Sequence, residues 1–176
     1  MQVPQPNLNP PWQKAASAAV RFHRHQVRKD GVTPYAAHPF RVAMTVRDLF
    51  GVSDPVAAAA ALLHDVIEGT AGDYDDIARE FGTEVADTVA ALTKDMRLPE
   101  REREVAYDAQ LRGGPWQAKL IKLADVFDNV SDSGTAGVPT KALQKARRAI
   151  ELAGSDARLA GAVALVRRLV AEVEKR

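Results

Sequence analysis

The sequence predicts an all-α protein, a single helical bundle, and three observations carry that prediction. Apolar residues recur at helical spacing in segment after segment. Prolines and glycines punctuate those segments where helices start and stop. Strand-like alternation of apolar and polar residues appears nowhere, and no internal repeat is evident. At 176 residues, 46% of them hydrophobic, the chain can build a proper core in one domain.

Met1 to Pro11 carries four prolines and two asparagines and reads as an extended arm, so the domain is expected over residues 12–176. From Trp12 to Lys29 a helical stripe comprises Trp12, Ala15, Ala16, Ala19, Val20 and His23, broken by Asp30-Gly31-Val32-Thr33-Pro34. Arg28 and Lys29 then fall at a helix end, where cations suit the dipole. Pro39 favours a helix start, placing His38 at its N-cap, although Ser, Thr, Asp and Asn are the usual cap residues. That helix is expected to run to about Phe50 and stop at Gly51. Asp54-Pro55 opens the central helix, rich in alanine and leucine, and Gly69 is expected to end it in the left-handed conformation that glycine favours.

Asp73 to Phe81 reads as a short amphipathic helix closed by Gly82, and the next helix turns Val85, Val89, Ala90 and Leu92 inward. Pro99 opens a charged helix, Glu100 to Leu111, stabilised by i,i+4 pairs. Trp116 to Val130 forms a second buried helix with Leu120, Leu123, Ala124 and Phe127 on its apolar stripe. Ser131 to Val138 is a loop. Two amphipathic helices, Pro139 to Ala153 and Ser155 to Lys175, close the chain, and their bases, Lys145 among them, read as a solvated face.

Net charge is +1, from 24 basic and 23 acidic residues, which excludes a general nucleic-acid binder needing a basic face. With no cysteine, disulfides and thiolate metal sites are excluded. No run reaches the roughly 18 apolar residues of a membrane helix, and the N-terminus lacks the order of a signal peptide. A cytoplasmic setting is expected, with a small-molecule partner rather than a membrane.

Against this background the run Ala61-Leu62-Leu63-His64-Asp65-Val66-Ile67-Glu68 stands out. Burying a carboxylate costs several kcal/mol or more unless it is paired or bound to a metal. His64 and Glu68, four apart, share one helix face, with Asp65 at its edge. The plainer alternative is a frayed helix end with solvated polar groups. Asp125 and Asn129 likewise share a face, and an aspartate inside a helix has poor propensity. His38, His64, Asp65 and Asp125 offer two imidazoles and two carboxylates, a set suited to a divalent Mn, Fe, Co or Zn ion.

The ordered set resembles the HD-domain metal-dependent phosphohydrolases, and within them the hydrolase domain of the Rel/SpoT alarmone enzymes and the small stand-alone alarmone hydrolases. The matching residues begin with His23-x-x-Gln26-x-Arg28-Lys29-Asp30-Gly31 and Thr33-Pro34-Tyr35-x-x-His38-Pro39-x-Arg41. They continue with Ala61 to Glu68, Phe81-Gly82-x-Glu84-Val85, Thr93-Lys94 and Ile121-Lys122-Leu123-Ala124-Asp125-x-x-x-Asn129. The resemblance covers about residues 12–130. It implies one Mn²⁺ held by His38, His64, Asp65 and Asp125, and removal of the 3′-pyrophosphate from guanosine tetra- or pentaphosphate, giving GDP and pyrophosphate from the tetraphosphate. By position it puts Arg28 and Lys29 at the nucleotide and Asn129 at the ribose or phosphate, and it makes Glu68 the group that orients or deprotonates the attacking water.

The chain departs from the pattern at four places. The acid that usually follows Glu68 is Gly69, the usual Arg and His before Asn129 are Val126 and Asp128, and a usually small residue before Gln26 is His25. Those changes touch the water-handling acid and the substrate wall. They leave open an HD phosphohydrolase for another nucleotide or phosphate ester, or a weakly catalytic nucleotide-binding module.

Overall fold

A computed structural model describes residues 9–133 and 138–175, and most of the expected N-terminal arm and the middle of the Ser131–Val138 loop lie outside them. Helices follow one another along the chain: α1 Pro11–Phe22, α2 Ala37–Met44, α3 Pro55–Leu63, α4 Val66–Gly69, α5 Tyr74–Phe81 and α6 Thr83–Leu92. After them come α7 Glu100–Gly113, α8 Trp116–Ser131, α9 Thr140–Ala153 and α10 Ala160–Val173. Among the described residues the only β pairing is an isolated antiparallel bridge between Val27 and Pro34. Among the described residues no helix is long and apolar enough to cross a membrane.

The core forms around α3, which is apolar on all sides, as befits a helix with no face left for water. Ala57, Ala59, Ala60, Ala61, Leu62 and Leu63 are all buried there. The helix starts cleanly because the Asp54 carboxylate accepts a hydrogen bond from the Ala57 amide at 2.7 Å and Pro55 needs no amide partner. Helices α1, α2, α6 and α8 pack around it. Alanines line both α1 (Ala15, Ala18, Ala19) and α3, so little side-chain volume separates those two helices. Leu63, Leu120, Leu123 and Ile121 fill the middle. Truncating one such leucine to alanine costs about 2–5 kcal/mol.

Several boundaries differ from those expected, each for a local reason. Helix α1 ends at Phe22, seven residues before Lys29. The chain then turns back on itself, with Arg28 N–H donating to Thr33 O (2.8 Å) and Tyr35 N–H to Gln26 O (2.9 Å). Gly31 supplies the positive φ of 75° and the Asp30 carboxylate accepts from the amides of Val32 and Thr33, so Asp-Gly makes the turn. Arg28 and Lys29 therefore sit on a loop and not on a helix end. Trp12 and Val20 are exposed, while Ala18 joins the buried stripe. Helix α2 includes Ala37 and His38 within its first turn, so His38 is not the cap, and its last turn, Thr45–Leu49, widens to π geometry.

The central helix expected to run to Gly69 breaks at His64-Asp65. Nδ1 of His64 lies 2.8 Å from the Ala61 carbonyl, the group that would otherwise receive the Asp65 amide. Asp65 takes φ −98° and ψ 0°, the sparsely used bridge conformation in which many active-site residues are found. Gly69 ends α4 without a left-handed backbone, since the positive-φ glycines are Gly31, Gly51, Gly82 and Gly154.

Candidate metal centre

The break after α3 turns the polar residues of the central segment toward α2 and α8, where the other candidate ligands stand. His38 comes from the first turn of α2, His64 and Asp65 from the α3–α4 junction, and Asp125 from the middle of α8. One ligand atom from each of His38, His64 and Asp65 lies within 4.8 Å of the others. His38 Nε2 is 3.3 Å from Asp125 Oδ1 and 3.6 Å from Asp65 Oδ2, and His64 Nε2 is 3.3 Å from Asp65 Oδ2. Three of the candidate ligands thus form one cluster, and Asp125, 87 positions from His38 in sequence, borders it through its contact with His38.

The chemistry of the donors fits a divalent transition ion. His64 Nε2 is buried and makes no hydrogen bond among the described residues. Its ring is held through Nδ1, which donates to the Ala61 carbonyl, so Nε2 is the ring nitrogen left to face Asp65. His38 is oriented in the same sense, with Nδ1 2.6 Å from Asp128 Oδ2. Tyr35 Oη donates to Asp65 Oδ2 at 2.6 Å and fixes that carboxylate from the other side. Two imidazole nitrogens and one carboxylate within mutual reach, with the Asp125 carboxylate against His38, are donor types such ions take.

Electrostatics follow from this crowding. Burial works against a charged His38, but hydrogen bonds to Asp125 and Asp128 and the charges of Asp125 and Asp65 raise its pKa to about 9. Burial likewise opposes the charge on His64, and Asp65 overrides it and raises the pKa. Burial resists ionisation of Asp65 and Asp125. The charge of His64 holds Asp65, and that of Lys122 holds Asp125, well below the usual carboxylate range. Lys122 donates to Asp125 Oδ2 at 2.8 Å and, although buried, is raised in pKa by that pairing.

These groups line a cleft of about 160 Å³ that also contains Glu68, Asn129, Lys94 and Lys145. Glu68 faces the cleft from α4, and its Oε2 accepts the Lys94 amide at 2.9 Å. Asn129 donates to Asp125 Oδ1 at 2.5 Å, one turn along α8. Arg28 and Lys29 stand in an adjoining pocket of about 480 Å³ that shares Tyr35, Lys122, Asp125 and Asn129 with the cleft. Arg28 is mostly covered: it pairs with Asp132 at 2.9 Å, donates to Asn129 Oδ1 at 3.3 Å and lies over the Tyr35 ring.

The sequence reading missed the roles of five residues. Lys145, assigned to a solvated face, lines the cleft. Lys94 and Lys122 each sit over the Tyr107 ring, 5.0 and 5.6 Å from its centroid. Tyr107 lies in the segment read as a solvated helix, yet it is buried. Asp128 was noted only as a departure. The spacing of Lys122 three residues before Asp125 was a usable signal, because i,i+3 neighbours on a helix meet. Lys145 and Tyr107 had none, since their helices are amphipathic in the ordinary way.

Known proteins resemble this chain in sequence and in fold. A family model described as the HD domain matches residues 15–154. The guanosine-3′,5′-bis(diphosphate) 3′-pyrophosphohydrolase MESH1 of Homo sapiens is 41% identical over 120 residues, 68% of this chain and 67% of that protein. The guanosine-3′,5′-bis(diphosphate) 3′-pyrophosphohydrolase of Aquifex aeolicus is 35% identical over 121 residues, covering 67% of this chain but 17% of that longer protein. Among solved structures, a metazoan ortholog of SpoT that hydrolyses ppGpp and plays a role in starvation responses superimposes with a TM-score of 0.76 at 28% identity, covering 94% of this chain and 97% of that one. The chain spans about two thirds of MESH1 and nearly all of the SpoT-ortholog structure, and it belongs to the HD-domain family.

Proposed function

We propose that this protein hydrolyses the 3′-pyrophosphate of guanosine 3′,5′-bis(diphosphate), using one divalent cation, Mn²⁺, held by His38, His64, Asp65 and Asp125. The observation that carries the reading is the cluster of His38, His64 and Asp65, with Asp125 beside His38, in a lysine-bearing cleft. The 41% identity to a human enzyme named for this reaction supplies the substrate. A bound dication supplies Lewis-acid polarisation of a phosphoryl oxygen and lowers the pKa of water.

The rest of the work falls to the chain's own residues. Glu68 orients the attacking water and takes its proton as the water oxygen bonds to phosphorus. The bond from phosphorus to the ribose 3′ oxygen breaks, and that oxygen leaves as the 3′-hydroxyl once protonated. Lys94, Lys122 and Lys145 offset the charge of the pyrophosphate, so the reaction relies on positioning and charge more than on covalent help. Arg28 and Lys29 hold the nucleotide, and Asn129 meets the ribose or phosphate.

One observation favours a second reading, another nucleotide or phosphate ester as substrate. Gly69 places no acid beside His23, whose Nε2 is buried and without a hydrogen bond among the described residues. The deciding experiment incubates Mn²⁺-loaded protein with guanosine tetraphosphate and a panel of nucleotides. The first reading requires pyrophosphate and GDP from the tetraphosphate. Phosphate released from other members of the panel, with the tetraphosphate intact, selects the second.

A further inference from the structure

We propose that Asp128 is a positioning residue for the metal centre, holding His38 in the orientation and tautomer needed for ligation. The inference rests on the reading of His38 as a metal ligand. Asp128 stands where the resembled enzymes usually carry histidine, so its role has to be argued from its own contacts.

Those contacts leave the carboxylate little freedom. Asp128 is 4% exposed and His38 1%. Asp128 Oδ2 lies 2.6 Å from His38 Nδ1. An ionised carboxylate can only accept, so Nδ1 must carry the proton. In the neutral ring that ligation requires, the lone pair is then on Nε2, the atom that faces Asp125 at 3.3 Å and Asp65 at 3.6 Å. Arg41 keeps Asp128 charged and in place, donating from Nε to Oδ1 at 2.5 Å and from Nη2 to Oδ2 at 3.0 Å. Every oxygen of this buried carboxylate thus has a partner, which is the condition under which a buried charge is tolerated.

The two histidines are oriented by different means. His64 leans on a backbone carbonyl, which no substitution removes, whereas His38 leans on a side chain. Arg41 extends the chain of contacts, since its Nη2 also reaches Asp132 Oδ2 at 2.8 Å, and Asp132 in turn pairs with Arg28. The ligand His38 and the nucleotide-side Arg28 are therefore tied to one ionic network. Carboxylates behind a ligating histidine typically contribute about 10–100-fold to metal affinity.

The test is a direct measurement of Mn²⁺ binding by calorimetry, together with the visible spectrum of the Co²⁺-loaded protein. Asp128→Asn keeps the shape but turns an amide toward Arg41 or His38, and Asp128→Ala removes the contact. Both should weaken Mn²⁺ binding by about 10–100-fold and shift the Co²⁺ bands. Asp132→Asn, which takes a partner from Arg41 but none from His38, should stay within about twofold of wild type in affinity, well short of the loss expected for a ligand-orienting contact. Should the alanine variant not fold, the isosteric asparagine variant decides. Wild-type affinity and spectrum in Asp128→Asn would overturn the proposal while leaving the metal centre standing. A wild-type protein that binds neither ion would overturn the centre itself, and the proposal with it.

Discussion

Gly69→Asp asks whether the missing acid limits turnover, and the structure makes the outcome calculable. Gly69 ends α4 with no positive φ, so a side chain there meets no backbone strain. A Cβ built on it would find only His23 Cε1, at 4.0 Å, which is ordinary contact. A carboxylate one bond further out comes within reach of the neighbouring ring atom, Nε2 of His23, which is buried and lacks a hydrogen bond among the described residues. A buried unsatisfied group costs about 1–3 kcal/mol, part of which the new acid would recover. Removing glycine from a helical position adds up to about 0.5–1 kcal/mol. An acid in the last turn of a helix gives back about 0.3–1 kcal/mol. The sum lies between roughly zero and 2 kcal/mol in favour of the variant, a melting temperature equal to wild type or a few degrees higher at this size.

Turnover of guanosine tetraphosphate should rise at least about tenfold, short of the 10²–10⁴ a well-placed acid or base supplies in full. Scanning fluorimetry and a pyrophosphate-release assay on this one variant measure both quantities. A melting temperature lowered by more than about 4 °C would refute the account of the space around position 69. A stable variant with unchanged turnover would refute the idea that an acid is what this site lacks.

Four further outcomes are expected. Glu68→Gln keeps its size but cannot take a proton, so turnover should drop by about 10²–10⁴ with metal content unchanged; loss of the metal instead would show that Glu68 is a ligand. His64→Ala and Asp125→Ala should each abolish bound metal as measured by elemental analysis, and chelator should then no longer lower their melting temperature as it does for wild type. Arg28→Ala should raise KM more than it lowers kcat, because its guanidinium can stack on a base while standing outside the ligand set; equal kinetics in both proteins would return Arg28 to holding Asp132 alone. For pH, His38 in the metal-free protein titrates near 9 instead of 6.5. A raised folded-state pKa stabilises fully below pH 6.5 and loses that contribution as pH rises to about 9, so the metal-free protein should melt progressively lower across this window. Mn²⁺ affinity should move the opposite way, since ligation needs neutral imidazole. A metal-free melting temperature flat from pH 6.5 to 9 would count against the charged His38.

Much of this protein was determined by its sequence alone, and the reasons are local. The helical class, the α3 start at Asp54-Pro55 and the stop at Gly51 all follow from spacing and cap chemistry that act within a few residues. The candidate ligands His38, His64, Asp65 and Asp125 were legible because imidazoles and carboxylates in buried helices call for partners. What those partners are was decided only in three dimensions. Nothing within a few residues of His38 announces Asp128, which lies 90 positions away and reaches it because α2 and α8 pack against each other and against α3. The loop carrying Arg28, the break that separates His64 from Glu68, and the turn of Lys145 into the cleft were likewise outside the reach of periodicity. A helix pattern records which face is apolar. Which polar groups end up facing one another depends on how the helices pack, and that is a property of the whole core.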